Sequence, residues 1–204
     1  MKNKMSKMRG FTLVELLIVI ALIAILSVAV LATINPIEQS NKARDASFKN
    51  DAAEVLGALE RYYASQNSYP WNMPNTADSD QLLASTAPDF GIVGVTGAGL
   101  TAPLIASSEL KSSFASKKPF DEPLSEDLLY VYHNATSNSN YACYFPKATA
   151  NRTPPKSVEL KCLDIANTKI LNIGDGCAPP TGDWSYNPSA TTANVLCVPE
   201  GDIQ

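Results

Sequence analysis

The chain has 204 residues, which is enough for one globular domain around one hydrophobic core and too few for an ordinary two-domain enzyme. Its apolar content of 45% is ordinary, but apolar and charged residues are unevenly spread. Lys2, Lys4, Lys7 and Arg9 put four positive charges and no acid into the first ten residues, leaving twelve basic against twenty acidic side chains in the remainder. That balance argues against nucleic-acid binding, which needs a basic stripe.

The basic leader runs directly into an apolar block. Residues 11–34 contain only Thr12, Glu15, Ser27 and Thr33 as polar side chains. As a helix this block extends about 36 Å, enough to cross a hydrocarbon core of about 30 Å. With Lys and Arg before the block and Glu38 and Asp45 after it, the positive-inside tendency puts the N-terminus in the cytoplasm and the bulk of the chain outside. The rival from another class is a secreted or anchored binding protein or hydrolase, released by an ordinary signal peptide cut near Val30-Leu31-Ala32. Against it, the apolar run exceeds the usual 7 to about 15 residues of such signals.

Glu15 is the one charge inside that run. Insertion scales put an acidic residue at the helix centre at about 2.5 to 3.5 kcal/mol, so the carboxylate needs a partner. Two are open. With the leader attached, Glu15 snorkels towards Lys7 or Arg9; with the chain cut after Gly10, the new amine of Phe11, from the same or a neighbouring subunit, neutralises it.

The stretch Arg9-Gly10-Phe11-Thr12-Leu13-Val14-Glu15, after a short basic leader and before an unbroken apolar run, resembles the class III signal of type IV pilins and type II secretion pseudopilins. The resemblance implies that prepilin peptidase requires Gly10 and cuts between Gly10 and Phe11. It further implies that Phe11 is then N-methylated, and that Glu15 pairs with the Phe11 amine of an adjacent subunit. The implied function is a structural subunit of a type IV pilus-like filament, with a type II secretion pseudopilin as the alternative, and not an enzyme. Implied partners are other pilin subunits, prepilin peptidase, the assembly platform and, before assembly, membrane lipid; neither nucleic acid nor a cofactor is among them. Before assembly the chain is a single-pass cytoplasmic-membrane protein, and afterwards part of a cell-surface or periplasmic filament. The chain divides accordingly into a cleaved leader at 1–10, a transmembrane and assembly half-helix at 11–35, and an extracytoplasmic head at 36–204.

After the apolar block, Asn35-Pro36 marks a helix boundary, with Asn35 suited to cap a restarted helix and Pro36 to its first position. From residue 37 to about 65, Phe48, Ala52, Val55, Leu56, Leu59, Tyr62 and Tyr63 recur at steps of three and four, giving an amphipathic helix with one face for a sheet. The Tyr62-Tyr63 pair followed by Tyr69-Pro70-Trp71 resembles the helix end and loop of pseudopilins and many pilins. Core packing accounts for Phe48, Tyr62 and Tyr63 without invoking a conducting aromatic ladder. Residues 72–125, rich in Ala, Ser, Thr, Pro and Gly, read as a connecting loop with short helices at Leu82-Leu83 and at 108–114. Gly91, Gly94, Gly97 and Gly99 do not fit a phosphate-binding spacing and read as turns.

Strands are expected at 128–133, 140–145, 157–163, 170–173 and 194–198. The fold class is α+β: a long, hydrophobic-then-amphipathic N-terminal helix packed on a small antiparallel sheet, with a disulfide-stapled C-terminal region. Cys143, Cys162, Cys177 and Cys197 have no zinc spacing, and downstream of an export signal they read as two disulfides. Three connectivities are open; pairing of sequence neighbours, Cys143 with Cys162 and Cys177 with Cys197, is the expectation. No metal site is expected: Asp121, Glu122, Glu126 and Asp127 lack the EF-hand pattern and read as a solvated turn. The single histidine, His133, has no nucleophile motif near it and reads as a surface residue at a strand end, so no catalytic residue is assigned.

Overall fold

The computed structural model describes residues 10–33, 35–71, 81–86, 89–92, 101–117, 127–153, 159–164, 169–173 and 192–203. The chain forms two compact units, Met1–Gln39 and Ser40–Gln204. In the first, helix α1 (Leu13–Thr33) is apolar on all sides and buries none of its large apolar side chains. Helix α2 (Pro36–Gln66) starts where the sequence places a boundary. Asn35 caps it, its side-chain oxygen accepting the Glu38 amide at 3.3 Å and its carbonyl the Gln39 amide at 3.2 Å. Pro36 occupies the first turn, where its missing N–H costs nothing.

The second unit is built on a sheet whose strands are β1 (Gln81–Thr86), β2 (Asp89–Ile92), β3 (Leu129–Asn134), β4 (Ser139–Tyr144), β5 (Lys161–Asp164), β6 (Lys169–Asn172) and β7 (Thr192–Val198). Their order is β2-β1-β3-β4-β7-β5-β6, and every pairing is antiparallel. Shorter helical pieces are α3 (Thr101–Ala106), a 3-10 turn (Ser112–Ser116) and the single turn α4 (Thr149–Arg152).

Side-chain alternation assigns the sheet residues to two faces. Leu129 and Val131 of β3, Ala142 and Tyr144 of β4 and Leu196 of β7 join Phe48, Ala52, Val55, Leu56, Ala58 and Leu59 of α2 in one core. The residues between them, Tyr130, Tyr132, Tyr141, Cys143, Val195 and Cys197, form a second buried cluster with Phe145, Leu163 and Ile170. The central strands are therefore apolar on both faces, which is why they read as almost continuous apolar and aromatic runs.

The expected strands occur within a few residues of their places, but two details differ. Leu82-Leu83 belongs to β1, not to a helix, because Leu83 is paired with Ile92 on one side and Val131 on the other; a short apolar pair carries no periodicity to separate the two states. The helical turn expected at 108–114 is displaced, with α3 before it and the 3-10 turn running to Ser116.

The expected disulfide pairing is also corrected: Cys143 is bonded to Cys197. The reason is topological. β7 lies between β4 and β5, so Cys143 meets Cys197 in register, with Cα atoms 4.0 Å apart, whereas Cys162 of β5 faces Asn194 and Leu171. Cys162 is also disulfide-bonded; Cys177 lies outside the described residues.

Three polar residues are more deeply placed than their sequence context implies. Asp127 is fully buried, not solvated, because Arg44 of α2 reaches it with Nε at 2.9 Å and Nη2 at 2.6 Å, and Lys147 approaches at 3.3 Å. Asp121, Glu122 and Glu126 lie outside the described residues. Asp45, also buried, accepts the backbone amides of Lys147 and Ala148 and the Asn151 side chain, so one carboxylate ties α2 to the start of α4. His133 is buried too, packed against Tyr69 and Trp71 with ring centroids 4.8 and 5.5 Å away, its Nδ1 2.9 Å from the Asn140 side-chain oxygen. That packing follows from the end of α2: Asn67 adopts φ 53° and donates to the Tyr63 carbonyl at 2.7 Å, closing the helix with a left-handed residue. The chain then turns so that Tyr63, Tyr69 and Trp71 stack successively.

The Cys143–Cys197 bond closes a separation of 54 residues, for which the loop-entropy account gives about 4 kcal/mol. Replacing both cysteines by alanine is expected to lower unfolding stability by roughly 2 to 4 kcal/mol, read from the urea midpoint under non-reducing conditions; an unchanged midpoint would refute the staple. Lys117 supplies a second test. Partial burial works against its charge, but hydrogen bonds to Asp51 at 2.6 Å and Glu54 at 2.8 Å outweigh this and raise its pKa. Its contribution is thus complete below its unfolded pKa of about 10.4 and fades as pH rises through the higher folded value. The stability gap between wild type and Lys117→Met is expected to be constant near neutrality and to narrow only in strong alkali.

Candidate assembly and processing site

The N-terminal unit carries the sequence-derived site residues Gly10, Phe11 and Glu15 within one short segment. Gly10, Phe11 and Thr12 are not helical; α1 begins at Leu13. Thr12 fixes that start. Its carbonyl accepts the Leu16 amide at 3.2 Å, and its Oγ1 accepts the Glu15 amide at 3.2 Å. Glu15 answers in the opposite direction: its Oε2 accepts the Thr12 amide at 3.0 Å and the Thr12 hydroxyl at 2.9 Å. This is a reciprocal capping box, Thr at the N-cap and Glu three residues on, and it satisfies donors that a helix start otherwise leaves orphaned.

Among the described residues of its own chain, Glu15 is thus hydrogen-bonded to its N-cap, a neutral partner that leaves the charge itself unpaired. The T-x-x-E spacing is the sequence signal for this cap, and Thr12 is a residue that charge alone does not point to. Ser27, the other described polar side chain in α1, is internally bonded as well, donating to the Ile23 carbonyl at 2.7 Å. From Leu13 to Leu31, with Glu15 and Ser27 as its polar side chains, the helix has a mean hydropathy of 3.0. Its large apolar side chains, and Phe11 before them, are between 43% and 78% exposed. The Thr12 and Ser27 hydroxyls and Glu15 Oε2 are thus bonded locally, while the large apolar side chains of α1 stay exposed.

Gly10 is not demanded by the chain itself. A Cβ at this position would meet nothing within 4 Å.

Chemistry elsewhere is sparse. A cleft of about 300 Å³ beside α2 is lined by Lys42, Lys49, Tyr144, Asn151, Glu159 and Glu200 among others. Lys49 and Glu200 pair with each other across it. Burial first, and the Asp45 carboxylate second, push the Tyr144 phenol well above its ordinary pKa, so it stays protonated and is a poor nucleophile. Among the described residues, no group of three His, Cys, Asp or Glu side chains converges as metal ligands.

Residues 5–31 match the family model for the prokaryotic N-terminal methylation motif, the signature of the prepilin-type signal in type IV pilins and pseudopilins. No curated protein and no solved structure matches the chain. The motif supports a type IV pilin-like or pseudopilin precursor, pointing to a structural subunit rather than an enzyme, and implies processing by a prepilin peptidase and assembly into filaments. The single N-terminal apolar helix fits a membrane-anchored precursor.

The N-terminal network gives a direct expectation for helix stability. Thr12→Val removes the cap while keeping the side-chain shape, and is expected to cost about 1 kcal/mol of α1 stability. Glu15→Gln keeps the hydrogen-bonding geometry and is expected to cost less; amide hydrogen exchange of α1 in detergent micelles separates the two.

Proposed function

We propose that the chain is a subunit of a type IV pilus-like filament, cut between Gly10 and Phe11, N-methylated at Phe11 and assembled through α1. The observation that carries this reading is the methylation motif at residues 5–31, which runs into a helix from Leu13 whose large apolar side chains are exposed. Lipid covers that surface while the subunit is stored in the cytoplasmic membrane, with the leader inside and residues 36–204 outside. Extraction by an assembly platform then exchanges lipid for the α1 helices of other subunits. The exchange costs little, because lipid and apolar helix surface are alike to each side chain. The filament is held by close helix packing and by charge.

Glu15 supplies that charge. Cleavage creates a cationic amine on Phe11, four residues from Glu15, and methylation leaves it cationic. An incoming subunit's Glu15 binds the amine of its neighbour, fixing the axial register between subunits. Gly10 belongs to the peptidase's requirements, since the open space around it leaves its own chain indifferent to a larger side chain. The Cys143–Cys197 staple suits a head exposed outside the cell, where oxidising conditions keep it closed. A short secretion pseudopilus, whose periplasm is also oxidising, is the alternative reading.

Three variants test the assignment. Gly10→Leu is expected to leave the leader attached. Glu15→Gln is expected to be cut normally, yet to enter filaments about tenfold less often or worse, the effect of losing an interaction of about 1.4 kcal/mol or more. Sheared surface fibres from the wild type are expected to contain this chain starting at methyl-Phe11, read by mass spectrometry. A mature N-terminus at Thr33 sinks the filament reading in favour of an ordinary signal peptide.

A further inference from the structure

We propose that Thr12 is a positioning residue for the processing cut: through the capping box with Glu15, it holds the Gly10–Phe11 peptide outside the helix. This inference rests on the reading that the cut falls between Gly10 and Phe11.

The argument starts from what a helix does to a peptide bond. Inside α-helix a carbonyl oxygen is bonded to the amide four residues on, and neighbouring turns cover the faces of the carbonyl carbon. A hydrolase reaches such a bond only after unwinding it. Here α1 starts at Leu13, and Gly10, Phe11 and Thr12 precede it without helical structure. The bond to be cut therefore lies two residues before the first helical one.

Nothing in the apolar sequence itself stops the helix there. A helix beginning inside a membrane without a cap exposes its first amides to hydrocarbon, which is costly. The alternative is to propagate backward until the orphan amides lie among polar residues, here Arg9, Lys7 and Ser6 of the leader. That extension would take Phe11 and Gly10 into the helix. The capping box removes half of the reason for it, because Thr12 Oγ1 takes the Glu15 amide and Glu15 Oε2 takes the Thr12 amide. Gly10 adds a smaller bias in the same direction, being a poor helix former. Thr12 and Glu15 thus stop the helix at a fixed distance from the bond to be cut.

The role has a kinetic signature. If precursors with a helical junction and a non-helical junction interconvert faster than the cut, the helical fraction raises the apparent KM and leaves kcat alone. The full-length precursor, in proteoliposomes with a prepilin peptidase, is the substrate. Losing the cap shifts the helical-to-non-helical ratio by about fivefold, so Thr12→Val is expected to raise KM measurably, by at most that factor, with kcat unchanged. In the same variant the 13Cα shifts of residues 10–12 are expected to move towards helical values. Thr12→Ser, which keeps the hydroxyl, is expected to restore both. A wild-type KM for Thr12→Val overturns the inference. So does a raised KM with unmoved 13Cα shifts, which would mean that the peptidase touches Thr12 directly. If the wild-type precursor is not cut between Gly10 and Phe11 at all, the parent reading fails with it.

Discussion

A run of helix from Leu13 to Leu31 that buries nothing within its own unit is the constraint to which the rest of this protein is fitted. Each large aliphatic side chain left in water forgoes about 1.5 to 3 kcal/mol, so this helix belongs either in lipid or against other apolar helices. Both surroundings are equally intolerant of an unbonded polar atom. Thr12, Glu15 and Ser27 meet part of that intolerance by bonding within their own segment. Such local bonding is what a segment needs if it is to leave one apolar environment for another.

Ser40–Gln204 obeys a different solvent, and its device is the opposite one: it buries charge. Asp45 and Asp127 are buried, and the partly buried Arg44 joins them beside Phe48, whose ring sits 4.1 Å from the guanidinium. A buried ionic group of this kind adds little net stability over an apolar replacement, but removing one partner strands the others. Its effect is to fix one register of α2 against the strand ends, since Asp45 is satisfied only when the amides of Lys147 and Ala148 stand opposite it.

These two devices explain which parts were legible. The restart at Pro36, the apolar stripe of α2 and the positions of β3 to β7 follow from caps, three-four periodicity and aromatic strand runs, all of them local signals. The order of the strands is not local, and with it went the disulfide partner of Cys143. Asp45 and Asp51 share the buried stripe with Phe48 and Ala52, where a pattern rule reads acids as solvent-facing; their cations, Arg44 and Lys117, are set by tertiary packing. His133 was misread for the same reason, its burial depending on the aromatic residues that follow α2. At the N-terminus the difficulty was different. The T-x-x-E pattern was in plain sight, but a carboxylate in an apolar run directs attention to cations and away from a neighbouring threonine.

The place of β7 has a consequence in time. A ribosome delivers β4 and β5 before the strand that must lie between them, and at about 5 to 20 residues per second the 54 residues from Cys143 to Cys197 take roughly 3 to 11 seconds. During that interval β4 has β3 on one side and an open edge on the other, while β5 has only β6. An open edge on an aromatic strand invites pairing with another chain. The register that brings Cys143 to Cys197 therefore becomes available only when the last strand fills the gap and closes the edges of both β4 and β5.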